Sequence, residues 1–274
     1  MSIVQKLFSL ENKTVVITGG TGVLGASMSK ALAEAGANVA IIGRRVEVGQ
    51  KLVDEIVNAG GKAIAVKADV LQKDELIKAK ETILSSFGTI DILVNGAGGN
   101  MPGATISPDK TFFDLDTKAF QQVVDLNLLG TVLPSQVFGE VFAKKKAGVI
   151  INISSMSAFR PITRVVGYSA AKAAVSNFTG WLAIEMAKKF GEGIRVNAIS
   201  PGFFLTEQNR ALLTNPDGSL TARGASVIQN TPFGRFGEPS ELIGTLLWLC
   251  SDASKFVSGV DVPVDGGFNA FCGV

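Results

Sequence analysis

Thr14-Val15-Val16-Ile17-Thr18-Gly19-Gly20-Thr21-Gly22-Val23-Leu24-Gly25 decides the fold of this 274-residue chain. A run rich in Val enters a turn of small residues, and beyond it apolar residues recur at helical spacing from Leu24 to Ala35. A continuous β-branched run reads as a strand buried on both faces. Gly20, Gly22 and Gly25 match G-x-G-x-x-G, with Gly19 and Thr21 completing the turn. Small residues at this point let backbone amides and a helix N-terminus approach a pyrophosphate. A lone match of this kind is weak, but here it sits in the strand–turn–helix context that the binding needs.

The same rhythm continues outward. Strands are expected at Thr14–Thr18, Asn38–Ile42, Ala63–Lys67, Asp91–Asn95, Gly148–Ile153, Ile194–Ile199 and Asp261–Val264. Helix-length segments lie between them, among them Leu24–Ala35, Val46–Ala59 and Lys73–Phe87. Strand, helix, strand at this spacing means an α/β protein: one doubly wound Rossmann-type domain over 1–274, its central, mostly seven-stranded parallel sheet flanked by helices. Two stretches break the pattern, Gly96–Asp116 and Phe203–Arg235, rich in Gly, Pro and polar residues with no evident sheet element. Loops of such length in a compact domain serve as lids or binding loops, and 203–235 is read as a substrate lid.

Composition bounds the function classes. The chain is 46% hydrophobic and 18% charged, and a net charge of +2 gives no reason to expect nucleic acid or a membrane surface as partner. No apolar run approaches a membrane span, and the segment up to Asn12 lacks a signal-peptide core. Cys250 and Cys272 make no disulfide framework, and Cys250 reads as core. The chain has no histidine, so it offers no imidazole for a Ser–His relay or a His-ligated zinc, and no metal site is expected. All of this fits a cytoplasmic protein.

The carboxyl ends of the expected strands carry cofactor signals. Gly43-Arg44-Arg45 stands where an NAD site usually places an acid. An arginine there can pair a 2′-phosphate, which favours NADP(H), with NAD(H) as the alternative; the other reading leaves both arginines as solvated charges at a strand end. Asp69-Val70 follows the third strand, where a carboxylate can accept a hydrogen bond from an adenine amino group. Asn95-Gly96-Ala97-Gly98 ends the fourth, its small residues leaving room for a flat ring and a ribose.

The only tyrosine, Tyr168, lies four residues before Lys172, so on a helix both side chains share one face. A cation about 4–5 Å from the phenol, at an effective dielectric of ~20, lowers its pKa by about 2–3 pH units. The pair is therefore sufficient for acid–base work near neutrality.

Taken in chain order, the glycine turn, Asn95-Gly96-Ala97-Gly98, Asn127, Ser155, Tyr168, Lys172, Pro201-Gly202 and Val264-Asp265-Gly266-Gly267 resemble the short-chain dehydrogenase/reductase family over nearly the whole chain. The resemblance implies that Tyr168 exchanges a proton with the substrate oxygen and that Ser155 hydrogen-bonds it. It also implies that Lys172 lowers the phenol pKa and holds the nicotinamide ribose, that Asn127 anchors a relay water, and that the protein is a homotetramer. Leu242–Cys250 and Asp261–Val264 are candidate subunit contacts, or core. The turn departs from the family pattern at Val23, where a glycine is usual, and Asn95-Gly96 replaces the usual paired asparagines.

A finer resemblance lies in Asn95–Asn100, Phe112–Asp116, Asp125–Gly130, Pro201–Leu213 and Val264–Phe271, which look like the D-mannonate oxidoreductase, or fructuronate reductase, branch. That implies interconversion of D-fructuronate and D-mannonate. Another keto-sugar acid such as a ketogluconate, a polyol or an unrelated ketone is the alternative, and a nucleotide-sensing protein without chemistry is a remote one. A sugar acid needs a carboxylate partner. Arg160 and Arg164 lie between Ser155 and Tyr168, while Gln208, Asn209 and Arg210 lie in the lid stretch; Arg164 or Arg210 is the expected clamp.

Overall fold

Thr14–Thr18 forms the first strand, β1, and all five of its residues are buried. It follows a short helix, α1 (Ile3–Phe8), and leads into α2 (Val23–Glu34). The computed structural model describes residues 2–273, with the backbone alone described at Glu207 and Gln208, so the side chain of Gln208 lies outside the described residues. The chain continues through β2 (Asn38–Gly43), α3 (Val46–Asn58), β3 (Lys62–Lys67), α4 (Lys73–Phe87) and β4 (Ile92–Asn95). Then come α5 (Thr117–Val124), α6 (Gly130–Lys145), β5 (Gly148–Ile153), α7 (Val166–Phe190) and β6 (Ile194–Pro201). It closes with α8 (Glu207–Leu213), α9 (Ala222–Gln229), α10 (Ile243–Cys250) and β7 (Asp261–Val264).

The seven strands form one sheet in the order β3-β2-β1-β4-β5-β6-β7, every pairing parallel. Successive side chains of a strand face opposite sides, and the core divides accordingly. Val15, Ile17, Val39, Ile41, Ile92 and Val94 pack with α2, α3 and α10 on one face. Val16, Ala40, Ile42, Leu93 and Ile150 pack with α4, α6 and α7 on the other. The expected doubly wound parallel sheet is what forms, and the expected strands differ from the observed ones by two residues at most.

One feature departs from the sequence reading. The 203–235 stretch contains α8 and α9, with only isolated bridges joining Phe204 to Gly237 and Thr214 to Leu220. These helices of seven and eight residues are too short to show an apolar period, although Thr206 and Thr221 cap them. Of the two readings of Leu242–Cys250, the core one holds for Leu242 and, in α10, for Leu246, Leu249 and Cys250, which are buried and so offer no subunit contact. Among the described residues no helix is long and apolar enough to cross a membrane.

Candidate active site

A cleft of about 490 Å³ opens along the carboxyl ends of the strands, on both sides of the point where the strand order reverses between β1 and β4. Such a switch point is where doubly wound sheets bind ligands. Its floor is the glycine turn. Gly19 has a φ of +67°, and a Cβ there would lie 2.5 Å from the Gly96 carbonyl oxygen. A Cβ on Gly25 would lie 2.2 Å from the Gly19 carbonyl oxygen. These two glycines therefore let β1, α2 and the end of β4 come together. Gly22 is the N-cap of α2 and supplies no side-chain cap, so the first N–H groups of the twelve-residue helix, from Val23 through Gly25, open on the cleft without an intrahelical partner. That is a ready anion cradle, and Val23 takes its place in it as the first helical residue.

The rest of the cleft wall contains most of the expected cofactor residues. Gly19, Thr21, Gly22, Leu24, Gly25, Arg44, Arg45, Asp69, Val70, Gly96, Ala97, Pro201 and Gly202 all line it, together with Ser155, Tyr168 and Lys172. Asp69 is the only acid among the described lining residues, and its Oδ1 accepts from Leu71 N at 2.9 Å. Gly20 does not line the cleft; a Cβ on it would press on Ile17, Ser29 and Ile41. Asn95 is a correction. Its side chain is buried, away from the cleft, and its Nδ2 donates to Ser135 Oγ at 3.0 Å and to Asn152 Oδ1 at 2.9 Å. Asn152 in turn donates to Thr179 Oγ1, so Asn95 ties β4 to β5 and two helices. The alternation of a strand points Val94 one way and Asn95 the other.

Residues to which the sequence assigned no catalytic or cofactor role also line the cleft, among them Val23, Leu126, Ile153, Ser154, Phe203 and the lid residue Asn209. Ser154 adjoins Ser155, and the others come from segments whose apolar or polar character carries no distinctive spacing. Asn209 does have a signal: its Oδ1 accepts from Thr206 N, a capping arrangement that orients α8 over the cleft.

Ser155, Tyr168 and Lys172 meet at one end. Ser155, two residues past β5, is extended (φ −166°) and caps the following turn through Ser157 N. Tyr168 and Lys172 occupy the first two turns of α7, with Lys172 Nζ 5.5 Å from the centre of the phenol ring. Lys172 Nζ donates to the Ile153 carbonyl at 2.7 Å. The electrostatics differ from the sequence expectation. Burial pushes the Tyr168 phenol up from its usual value, and a hydrogen bond with Ser155 offsets this only in part. Lys172 carries the cost as well: burial brings its ammonium down to about 8, against an opposing pull from Asp261. In a site this enclosed, desolvation outweighs the phenol's attraction to a cation set over its ring.

Asn127 sits in a π-helical turn, Asp125–Leu129, between α5 and α6, an irregularity frequent at functional sites. Its side chain donates to Gly99 O and Val123 O and accepts from Gly99 N, so both ends of the amide hold the backbone. Its own carbonyl accepts from Thr131 Oγ1. A Cβ on Gly98 would lie 2.6 Å from Asn127 Oδ1 and 3.3 Å from Lys172 Nζ, so these groups meet where the glycine leaves room.

Neither expected clamp residue lines the cleft. Arg210 is exposed on α8. Arg164 is half-buried on the loop entering α7, at a φ of +77°, its carbonyl accepting from Ile106 N. Arg223 of α9 is also half-buried, and its guanidinium is pushed below its usual range by burial and by the like charge of Arg164. Neither arginine is in an ion pair among the described residues.

The sequence profile of the family described as short chain dehydrogenase matches residues 13–217. A Bacillus subtilis (strain 168) protein, the uncharacterised oxidoreductase UxuB, is 51% identical over 97% of this chain and 98% of its own. A Haemophilus influenzae protein provisionally named a D-mannonate oxidoreductase, solved with bound NAD, is 47% identical with a TM-score of 0.91, over 97% of this chain and 98% of that one. A gluconate 5-dehydrogenase of Burkholderia cenocepacia, solved with NADP and tartrate, is 30% identical with a TM-score of 0.86, over 97% and 99%.

Proposed function

The chain belongs to the short-chain dehydrogenase family, oxidoreductases acting on CH–OH groups with NAD(P), and from that premise we propose that it interconverts the ketone and alcohol of a sugar acid, D-fructuronate and D-mannonate. The observation that carries the sugar-acid reading is the Arg164–Arg223 pair. Arg164, on the loop entering α7, and Arg223, on the lid helix α9, are half-buried and outside the cleft wall, without an ion pair among the described residues, and Arg164 is held at a backbone conformation that a bulky residue rarely adopts. A ligand carboxylate between them would relieve their repulsion and be held bidentately. The D-mannonate name borne by the Haemophilus influenzae relative supports the same substrate. The gluconate dehydrogenase from Burkholderia cenocepacia supports the runner-up, a ketogluconate.

The residues divide the work. In reduction, the Tyr168 hydroxyl donates its proton to the substrate oxygen; burial keeps the phenol protonated at neutral pH, the form this direction needs. Ser155 hydrogen-bonds the same oxygen. Lys172 places its ammonium beneath the ring, and the Asn127 carbonyl holds the water through which Tyr168 is reprotonated. The open N-terminus of α2 fits a pyrophosphate, Asp69 an adenine amino group, and Arg44 with Arg45 a 2′-phosphate, so NADP(H) is favoured over NAD(H). When bound, the nicotinamide supplies or accepts the hydride. The stretch 203–235, with α8 and α9, serves as the substrate lid of a single domain. The same reading takes the enzyme as a cytoplasmic homotetramer, to which the exposed Trp181 and Ile184 of α7 and the edge strand β7 offer apolar contacts.

The test is a steady-state assay following nicotinamide absorbance with D-fructuronate and NADPH or NADH, with Tyr168→Phe as control. Turnover lost in the mutant supports the reading; turnover on 5-ketogluconate but not D-fructuronate replaces the substrate. Arg164→Met and Arg223→Met are expected to raise KM for the acid far more than for a neutral ketose, and equal effects on both would remove the clamp.

A further inference from the structure

Behind Lys172 runs a chain of polar groups that ends on the last strand. Ser154 Oγ donates to the Lys172 carbonyl at 3.1 Å and lies 2.8 Å from Ser176 Oγ, one turn further along α7. Ser176 Oγ donates to Asp261 Oδ2, and Ser200 Oγ of β6 donates to Asp261 Oδ1 at 2.7 Å. Both carboxylate oxygens are thus held by hydroxyls in the interior of the sheet's edge. Each hydroxyl has one proton to give, so the direction of the bond between Ser154 and Ser176 depends on Asp261. With the carboxylate ionised, Ser176 must donate toward β7. With it protonated, Ser176 is freed to donate to Ser154, whose own proton stays on the lysine's carbonyl.

We propose that Asp261 is a positioning residue for Lys172, joined to it through Ser176 and Ser154, so that the edge strand of the sheet is part of the catalytic machinery. The charges around the pair leave few other candidates. Arg195, on the neighbouring β6, spends its guanidinium on the carbonyls of Leu249 and Ser251 and on Ser254 Oγ. Asp265, beyond β7, accepts from the N–H groups of Gly267 and Asn269. Tyr168 is the other titratable group beside Lys172. Among the described residues, Asp261 is the one charge that raises the pKa of the buried lysine, and Lys172 is the one charge that pulls down that of Asp261, whose carboxyl burial pushes up. The carboxylate holds the proton on an ammonium that its surroundings would otherwise strip.

This inference rests on the reading of Lys172 as the catalytic cation, but its test needs no substrate, so a failure to turn over D-fructuronate leaves it standing. The protein is labelled with 13Cε-lysine, the Lys172 resonance is assigned by its loss in Lys172→Met, and its shift is followed against pH in the intact protein. Asp261→Asn keeps the shape and removes the charge. The Lys172 midpoint is expected to fall by about half to one pH unit from about 8. Ser176→Ala, which keeps the charge, moves it less. In the wild type the same resonance should also show a second, acidic step as Asp261 takes its proton, and Ser176→Ala should move that step upward. The second readout stands even if Asp261→Asn does not fold. An unmoved midpoint in a folded Asp261→Asn protein, or a single-step wild-type titration, overturns the proposal.

Discussion

Replacing Lys172 with Met should make this protein more stable while removing its activity. The ammonium is buried at the cleft wall and brought from 10.5 down to about 8, which means that the fold tolerates the charge at a cost. At 1.36 kcal/mol per pH unit, the penalty at neutral pH is about 3 kcal/mol. The hydrogen bond from Lys172 Nζ to the Ile153 carbonyl is lost in the mutant, which takes back roughly 1 kcal/mol. A net gain of about 2 kcal/mol follows, or roughly 4–8 °C in Tm for a chain of this size. The sign with pH is specific. A lysine with a depressed folded pKa contributes its stability above the unfolded value near 10.5 and loses it as pH falls toward 8. The mutant's advantage is therefore full below pH 8 and shrinks by about 1.4 kcal/mol for each unit above it. Tyr168 is present in both proteins, so its own titration cancels. Urea unfolding of wild type and Lys172→Met at pH 7.5 and 9.5 measures this. A mutant less stable at pH 7.5, or an advantage of the same size at both values, would refute the assignment of a buried, costly ammonium.

Other consequences are equally direct. Tyr168 is the only tyrosine, so tyrosinate absorbance reports it alone; in the cofactor-free protein its midpoint should lie above the usual phenol value, and Ser155→Ala should raise it further, a lowering in that mutant being the contrary result. Because the raised phenol pKa favours the protonated fold, the wild type should lose stability as pH climbs past 10, and Tyr168→Phe should lose less. Gly25→Ala, whose Cβ would stand 2.2 Å from the Gly19 carbonyl oxygen, should cost more than about 2 kcal/mol in urea unfolding, whereas Gly22→Ala, with nothing nearer than 3.5 Å, should cost less than about 1 kcal/mol. Arg44→Ala should raise KM for NADPH about tenfold and leave KM for NADH nearly unchanged; equal changes would make that arginine a surface charge.

The parallel sheet was legible because each strand is a continuous apolar run and each gap holds a helix. The chemistry was legible where spacing alone carries geometry: Tyr168 and Lys172 share a helical face by arithmetic, and the glycine turn is written into Gly19 and Gly25. Other features needed the folded chain. Asn95 read as a cleft residue because it ends a strand, but which face of the sheet a terminal side chain takes depends on the neighbours that bury it, here Ser135 and Asn152. Arg223 had no distinguishing pattern until α9 brought it beside Arg164. Asp261 stands 89 positions from Lys172 in the chain and joins it only because β7 lies next to β6 at the edge of the sheet. The phenol's titration reversed its expected direction for the same reason. Local sequence determines which groups share a turn of helix or a strand end, since those distances follow from backbone geometry. Desolvation and the meeting of distant charges are properties of the packed interior, and only the tertiary structure decided them.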